Sequence, residues 1–343
     1  MSSAPPIIDV SPLAAEEPRG SNPHAGGSTA VDEVSRRIGA ACERWGFFQV
    51  VGHGVPDDLL RRFETDMRRF FALPPEAKQS VGRSDENAWG YYDQELTKNT
   101  RDWKEVFDYG ATLRPELADD HPDNRGLDGA NLWPRDLPGF RDSMLAYLAA
   151  CETLAFRLLR GMCAGLGLAP DTLECFFRQQ HTSFVRLNHY PRCDDPAPAD
   201  APDVPSRGFL GVNRHSDAGA LTILVQSDAD GLQVRREGVW CGVDPVPGAF
   251  VINTGDMLQV WSNDRYQAPL HRVVASPSRE RFSAPYFFNP APETLCAPLE
   301  ALLDEAHPAR YTPIHWGEFR HQRSAGDYAD LGEEIQIARF RVA

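Results

Sequence analysis

Between residues 180 and 290 the chain breaks into short runs of β-branched and aromatic residues closed by Gly, Pro, Asn or Asp, and this texture restricts the fold more than any other feature. The runs are Ser183 to His189, Ala220 to Val225, Gly231 to Val234, Ala249 to Asn253, Met257 to Trp261, His271 to Val274 and Ser283 to Phe288. Many short strands with turn signals between them predict a sandwich or barrel. Arg192 to Arg207 (RCDDPAPADAPDVPSR) is too rich in Pro and Asp for a strand and reads as a surface loop.

The first half of the chain reads differently. Residues 18 to 29 form a Gly/Pro/Ser/Asn-rich loop ending in a helix cap, Ser28 or Thr29, before apolar positions Val31, Val34, Ile38, Ala41 and Cys42 at helical spacing. A short strand, Phe47 to Val51, follows. Pro56 and Asp57 open a second helix with Leu59, Leu60, Phe63, Met67, Phe70 and Phe71, and Leu73-Pro74-Pro75 ends it because proline cannot continue the hydrogen-bond ladder. A third helix, roughly Arg141 to Met162, carries a stripe (Met144, Leu148, Cys151, Leu154, Leu158, Met162) suited to packing on a sheet. The expected organisation is one domain: a helical support region with short strands over 1–179, the barrel over 180–290, and flanking segments over 291–343.

Charge and cysteine usage exclude several classes. A formal net charge of −14 repels phosphate backbones and anionic membranes, and no basic patch offsets it, so neither nucleic acid nor membrane is an expected partner. No secretory leader or membrane-spanning apolar run is evident. Seven scattered cysteines without a C-x-x-C pair suit reduced thiols in a cytoplasm and argue against a cysteine zinc site.

The chemistry lies in His215-Ser216-Asp217, followed 54 residues after the aspartate by His271. Residues two apart on a strand share a face, so His215 and Asp217 can converge on one ion, with the third ligand supplied by a distant strand. Two imidazoles and one carboxylate leave adjacent coordination positions open, the arrangement non-haem iron(II) oxygenases use. H-x-D alone is a weak pattern. It gains weight from Arg281-Phe282-Ser283, ten residues past His271, where a guanidinium and a hydroxyl on one face can clamp a carboxylate. His53, in a glycine turn, and His189 read as structural histidines, and Gly255-Asp256 as a turn before the strand leading to His271.

The sequence resembles the iron(II) and 2-oxoglutarate-dependent dioxygenases related to isopenicillin N synthase, gibberellin oxidases and flavonoid oxygenases. The motifs span nearly the whole chain: Trp45 to Val50 (WGFFQV) with His53-Gly54-Val55, Phe70 to Pro74 (FFALP), Asp102 to Phe107 (DWKEVF), Leu187 to Pro191 (LNHYP), His215-Ser216-Asp217 with Leu221 to Leu224 (LTIL), Asn253 to Asp256 (NTGD), Trp261-Ser262-Asn263, His271-Arg272-Val273 and Arg281-Phe282-Ser283. The resemblance implies a mainly β fold with flanking helices and a double-stranded β-helix (jelly-roll, cupin-like) core of eight strands. It assigns iron(II) to His215, Asp217 and His271, the distal carboxylate of 2-oxoglutarate to Arg281 and Ser283, and a place beside that co-substrate to Asn188 and Tyr190. A structural role for these two stays open beside that one, because a strand-end Asn and Tyr also satisfy turns. The implied reaction consumes dioxygen, converts 2-oxoglutarate to succinate and carbon dioxide, and oxidises a small organic molecule by hydroxylation, desaturation or ring closure.

Two other readings stay open at this level. An oxidase like isopenicillin N synthase also carries an R-x-S pair but turns it to its substrate's carboxylate, so Arg281 and Ser283 do not discriminate. A catalytically silent barrel that binds metal or a partner is the other, against which the intact ligand set argues. Candidates for the substrate are Tyr91, Tyr92, Arg186, Arg214 and Phe319, with Arg214 either a solvated rim residue or a charge for an acidic substrate. A flat or partly apolar small metabolite suits an aromatic-lined mouth. Oligomeric state is not encoded in any motif.

Overall fold

The computed structural model describes residues 4–15, 29–84, 86–112, 129–177, 180–198, 200–201, 207–326, 332 and 334–342. Ser28, the loop before it and part of Arg192 to Arg207 lie outside the described residues. Two main sheets contain, in chain order, β1 (Ile7–Asp9), β2 (Phe47–Val51), β3 (Gly90–Tyr92), β4 (Glu105–Gly110), β5 (Phe184–Tyr190), β6 (Leu210–His215), β7 (Leu221–Gln226), β8 (Leu232–Arg236), β9 (Val239–Gly242), β10 (Phe250–Thr254), β11 (His271–Val274) and β12 (Arg281–Phe288). The helices that shape the site are α1 (Thr29–Arg44), α2 (Asp57–Phe71), α3 (Phe140–Gly165), α4 (Asp256–Trp261) and α5 (Trp316–Ala325).

The larger sheet runs β1-β2-β10-β7-β12-β5-β4-β3 and the smaller β9-β8-β11-β6. Every pairing is antiparallel except β1 with β2. Among the described residues, eight strands fall within 180–290, four in each sheet, and the sheets face each other across Tyr190, Leu224 and Val251 from one and Val212, Leu232, Val234 and Val273 from the other. This is the expected jelly-roll core. The N-terminal region does more than support it, because β1, β2, β3 and β4 extend the larger sheet at both edges.

Helices cover the outer face of that larger sheet. α3 turns Met144, Tyr147, Leu148, Cys151, Leu154, Leu158 and Met162 inward, and the Tyr147 hydroxyl donates to the carbonyl of Ala284 at 3.0 Å. α2 packs beside it through Leu59, Phe63, Met67 and Phe70, with Phe63 stacked on Tyr147. Covered on both faces, the central strands are buried along their length rather than at alternate positions. Gly46 follows α1 at φ +60 with its N–H on the Ala41 carbonyl, and a β-carbon there would lie 2.3 Å from the Gln267 carbonyl oxygen.

Three local expectations change. Met257 to Trp261 is the helix α4, not a strand, and Gly255-Asp256 starts that helix rather than forming a turn before one. Its residues are buried throughout, so no side-chain periodicity marked it as helical. β6 contains His215 yet falls outside the expected runs, because Gly211, Asn213 and Arg214 break its apolar texture. The segment beginning at Arg192 is not simply a surface loop: Cys193, Ala197 and Ala201 are buried, and Pro196 bridges to Phe209.

Candidate metal centre and co-substrate chamber

Antiparallel pairing builds the centre. His215, at the end of β6, lies directly opposite His271, at the start of β11, and a cross-strand pair presents both side chains on one face. The two imidazole centroids are 4.2 Å apart. Asp217, two residues beyond His215, turns its Oδ1 toward both rings, 3.5 Å from His215 Nε2 and 3.6 Å from His271 Nε2. One donor atom from each residue falls within 4.8 Å of the others, a set that suits a divalent ion.

Hydrogen bonds select which atoms face inward. His215 Nδ1 lies 2.8 Å from the carbonyl of Asn213 and His271 Nδ1 3.2 Å from that of Pro269. Each carbonyl requires a protonated Nδ1, which leaves the Nε2 lone pairs for a metal. Asp217 Oδ2 accepts from Thr222 and, at 2.8 Å, from Asn253, leaving Oδ1 directed at the rings. Burial first, then the second imidazole, pushes the His215 pKa down to about 3, so the ring is in its metal-binding neutral form. Burial raises the Asp217 pKa, but the imidazoles and these hydrogen bonds outweigh it and keep the carboxyl ionised.

The turn carrying Asp217 is stapled to its neighbours. The N–H of Asp256 donates to the Asp217 carbonyl at 2.7 Å and that of Met257 to the Gly219 carbonyl at 3.0 Å, so the first turn of α4 holds the metal-bearing loop. A β-carbon on Gly255 would lie 2.3 Å from the Gly219 oxygen, which explains the glycine. Asp102 acts from the other side, accepting from the backbone N–H of Asn213 at 2.9 Å and its side chain at 2.8 Å.

A cavity extends from the three ligands into the barrel and is lined by Phe47, Asn188, Tyr190, Leu224, Arg281 and Ser283, among others. Register explains the convergence: Arg281 pairs with Tyr190 and Ser283 with Asn188 across β12 and β5, so the side chains share the inner face. Arg281 Nη2 donates to Gln226 Oε1 at 2.9 Å. Its Nε and Nη1, with Asn188 Oδ1, are buried without a hydrogen-bond partner among the described residues. Burial depresses the guanidinium pKa, with Tyr190 opposing. Unmet donors on a buried cation are costly unless an anion completes them. A metal at one end and an anion clamp at the other fit iron(II) and the five-carbon dicarboxylate 2-oxoglutarate.

A second chamber opens beside His215 and Asp217. Phe184, Val212 and Phe287 line it together with Glu95, Lys104, Arg186 and Arg320, so the mouth carries charged groups beside its aromatic ones. Beneath it, Lys104 contacts Glu95 (2.5 Å) and Asp102 (3.3 Å), while Arg186 pairs with Glu95 and Asp108. Lys104 and Arg186 border both chambers.

Of the substrate candidates, only Arg186 lines this space among the described residues. Tyr91 is buried with its hydroxyl on Glu105, and Tyr92 packs against the Arg83 guanidinium. Phe319 is core, packed between Trp316 and Phe340. Arg214 is half-buried on β6 but borders neither chamber. His53 and His189 are structural: His53 accepts from the Val55 N–H, and His189 sits between Glu105 and Glu280. Sequence reasoning missed Glu95, Lys104, Gln226, Thr222 and Asn253 as site residues; the last two lie within the LTIL and NTGD motifs, and Lys104 within DWKEVF.

Two family models match this chain: the N-terminal model of a non-haem dioxygenase in morphine synthesis over residues 5–136, and the 2OG-Fe(II) oxygenase superfamily over 181–290. Jasmonate-induced oxygenase 2 of Arabidopsis thaliana is 33% identical over 92% of this chain and 78% of its own length. A homoarginine-6-hydroxylase of Glycine max is 34% identical over 87% and 89% respectively. Among solved structures, JOX2 in complex with 2OG, Fe and JA superimposes with a TM-score of 0.74 at 31% identity, covering 92% of this chain and 83% of that one. The dioxygenase for auxin oxidation of rice gives 0.68 at 27% identity, covering 98% and 99%.

Proposed function

This chain belongs to the 2OG-Fe(II) oxygenase superfamily and is an iron(II)- and 2-oxoglutarate-dependent dioxygenase acting on a small organic molecule, and from that premise we propose the roles of its residues. His215, Asp217 and His271 hold the iron. Arg281 and Ser283 take the distal carboxylate of 2-oxoglutarate, with Asn188 and Tyr190 beside it. The single observation that carries this reading is the cross-strand His215–His271 pair with Asp217 Oδ1 turned to both Nε2 atoms, at one end of a cavity whose other end is Arg281.

Bound iron, 2-oxoglutarate and dioxygen together supply the oxidising power, with release of succinate and carbon dioxide. The protein's own contribution is placement. Thr222 and Asn253 hold one oxygen of Asp217 so that the other faces the metal, and the Asn213 and Pro269 carbonyls orient the imidazoles. Arg281 fixes the orientation of the co-substrate, while Phe47, Val212, Leu224 and Val273 keep water from the inner chamber.

The outer chamber is the proposed substrate site, and its mixed lining favours a small molecule with both apolar and polar groups over a purely flat apolar one. Tyr91, Tyr92, Arg214 and Phe319 are accordingly not retained as substrate contacts. We place the chain in a reducing compartment such as the cytoplasm, supported by its seven free cysteines, and treat it as one domain because β1 to β4 complete the core sheet. Among the described residues no helix is long and apolar enough to cross a membrane.

The test is a screen of small metabolites for succinate formation that requires both iron(II) and 2-oxoglutarate. Substrate should accelerate release of labelled carbon dioxide from carbon 1 of 2-oxoglutarate. Full-rate oxidation of a confirmed substrate without 2-oxoglutarate would transfer the chain to the oxidase reading, and His215→Ala with undiminished turnover would refute the metal assignment.

A further inference from the structure

We propose that Arg323, on the C-terminal helix α5, is a positioning residue of the metal centre, an inference that rests on the iron reading of His215, Asp217 and His271. Arg323 is only 7% exposed. Its Nη2 donates to the carbonyl oxygen of Ser216 at 2.7 Å, and Ser216 is the residue between the two ligands of the H-x-D turn. The remaining nitrogens are held from the other side: Nε pairs with Glu334 Oε1 at 2.8 Å, and Nη1 donates to the Ile335 carbonyl at 3.1 Å and lies 3.7 Å from Asp256 Oδ2.

Two adjacent carbonyls of the turn are therefore fixed. Ser216 is held by Arg323, and Asp217 by the N–H of Asp256, whose carboxylate itself faces Arg323. The Cα of Asp217 is placed by the peptide planes on either side of it, so a guanidinium on the preceding carbonyl constrains where the carboxylate can reach. Tyr311 and Arg341, on either side of α5 in sequence, both donate to Asp264 and so tie the two flanks of the helix to one point. The C-terminal segment thus acts as a strap whose inner contact is with the metal-bearing turn. Arg323 also borders the outer chamber, so an occupant of that chamber lies against the same group.

The test uses the full chain, with cobalt(II) as a spectroscopic probe, comparing the wild type with Arg323→Met, Arg323→Lys and His215→Ala. Arg323→Met should bind cobalt(II) about tenfold more weakly, the usual order for losing a group that orients a ligand, and its visible d–d bands should shift. Arg323→Lys, which keeps the charge but not the planar fork, should recover part of both. Should Arg323→Met not fold, Glu334→Gln loosens the guanidinium while leaving it in place and should give a smaller change in the same direction. Unchanged cobalt(II) affinity and spectrum in folded Arg323→Met or Glu334→Gln, with only a lower unfolding temperature, would reduce Arg323 to a structural tether and overturn the inference. Undiminished cobalt(II) binding by His215→Ala would instead overturn the metal reading beneath it.

Discussion

Replacing Arg281 by methionine should separate co-substrate binding from fold stability. Arg281 is 4% exposed, and among the described residues Gln226 holds its Nη2 while Nε and Nη1 have no hydrogen-bond partner. A hydrogen bond to a charged partner contributes about 1.5–3 kcal/mol, and at about 1.4 kcal/mol per tenfold the 2-oxoglutarate requirement should rise roughly ten- to hundredfold. The same change removes a buried cation with unmet donors and inserts an apolar chain of similar length. The metal-free protein should therefore unfold no earlier than the wild type, and later if relief of desolvation dominates. The assay pairs 2-oxoglutarate-dependent succinate formation at varied co-substrate with thermal unfolding of the metal-free protein. An unchanged 2-oxoglutarate requirement together with a raised requirement for the primary substrate would make Arg281 a substrate clamp. A large fall in unfolding temperature would show that the guanidinium is a structural group.

Other residues give independent tests. Asn253→Ala removes the 2.8 Å bond to Asp217 Oδ2 and should weaken iron(II) binding about tenfold, measured by metal titration; retained affinity would leave Thr222 as the sole orienting group. Gly255→Ala places a methyl 2.3 Å from the Gly219 oxygen, a backbone atom that cannot swing aside, so it should destabilise by about 1–3 kcal/mol and lower metal content; normal values for both would disprove the close approach. Glu105 supplies a pH test. Burial raises its pKa, but hydrogen bonds from His189, Lys78 and Tyr91 outweigh this and bring it down to about 2. A folded pKa below the unfolded one means stability that is present above about pH 4.5 and lost as pH falls toward 2. Glu105→Gln should be less stable at pH 7 and show a shallower acid-unfolding slope between about pH 4.5 and 2; identical slopes would remove Glu105 from the acid response.

The sequence by itself determined the class of fold, which is written in local periodicity, and its motifs named His215, Asp217 and His271 as the candidate ligands. Short β-branched runs can bury themselves only in paired sheets, and an alternation of two placed Arg281 with Ser283 on one face, as β12 confirms. Helices α1, α2 and α3 were legible for the same reason: their apolar stripes recur at steps of three and four. α4 was not, since a helix buried on all sides has no stripe, and β6 was not, since Gly211, Asn213 and Arg214 interrupt its apolar texture. What the tertiary structure alone decided are the relations between residues far apart in the chain. The register that sets His271 opposite His215, the capture of Asp217 Oδ2 by Asn253, the charged wall of Glu95, Lys104 and Arg186, and the reach of Arg323 to Ser216 all join separate elements. Tyr91 and Phe319, taken as substrate candidates from their places in the N-terminal and C-terminal segments, are core for the same reason. A side chain's type is a local property, but the direction it faces depends on which strand or helix packs against it.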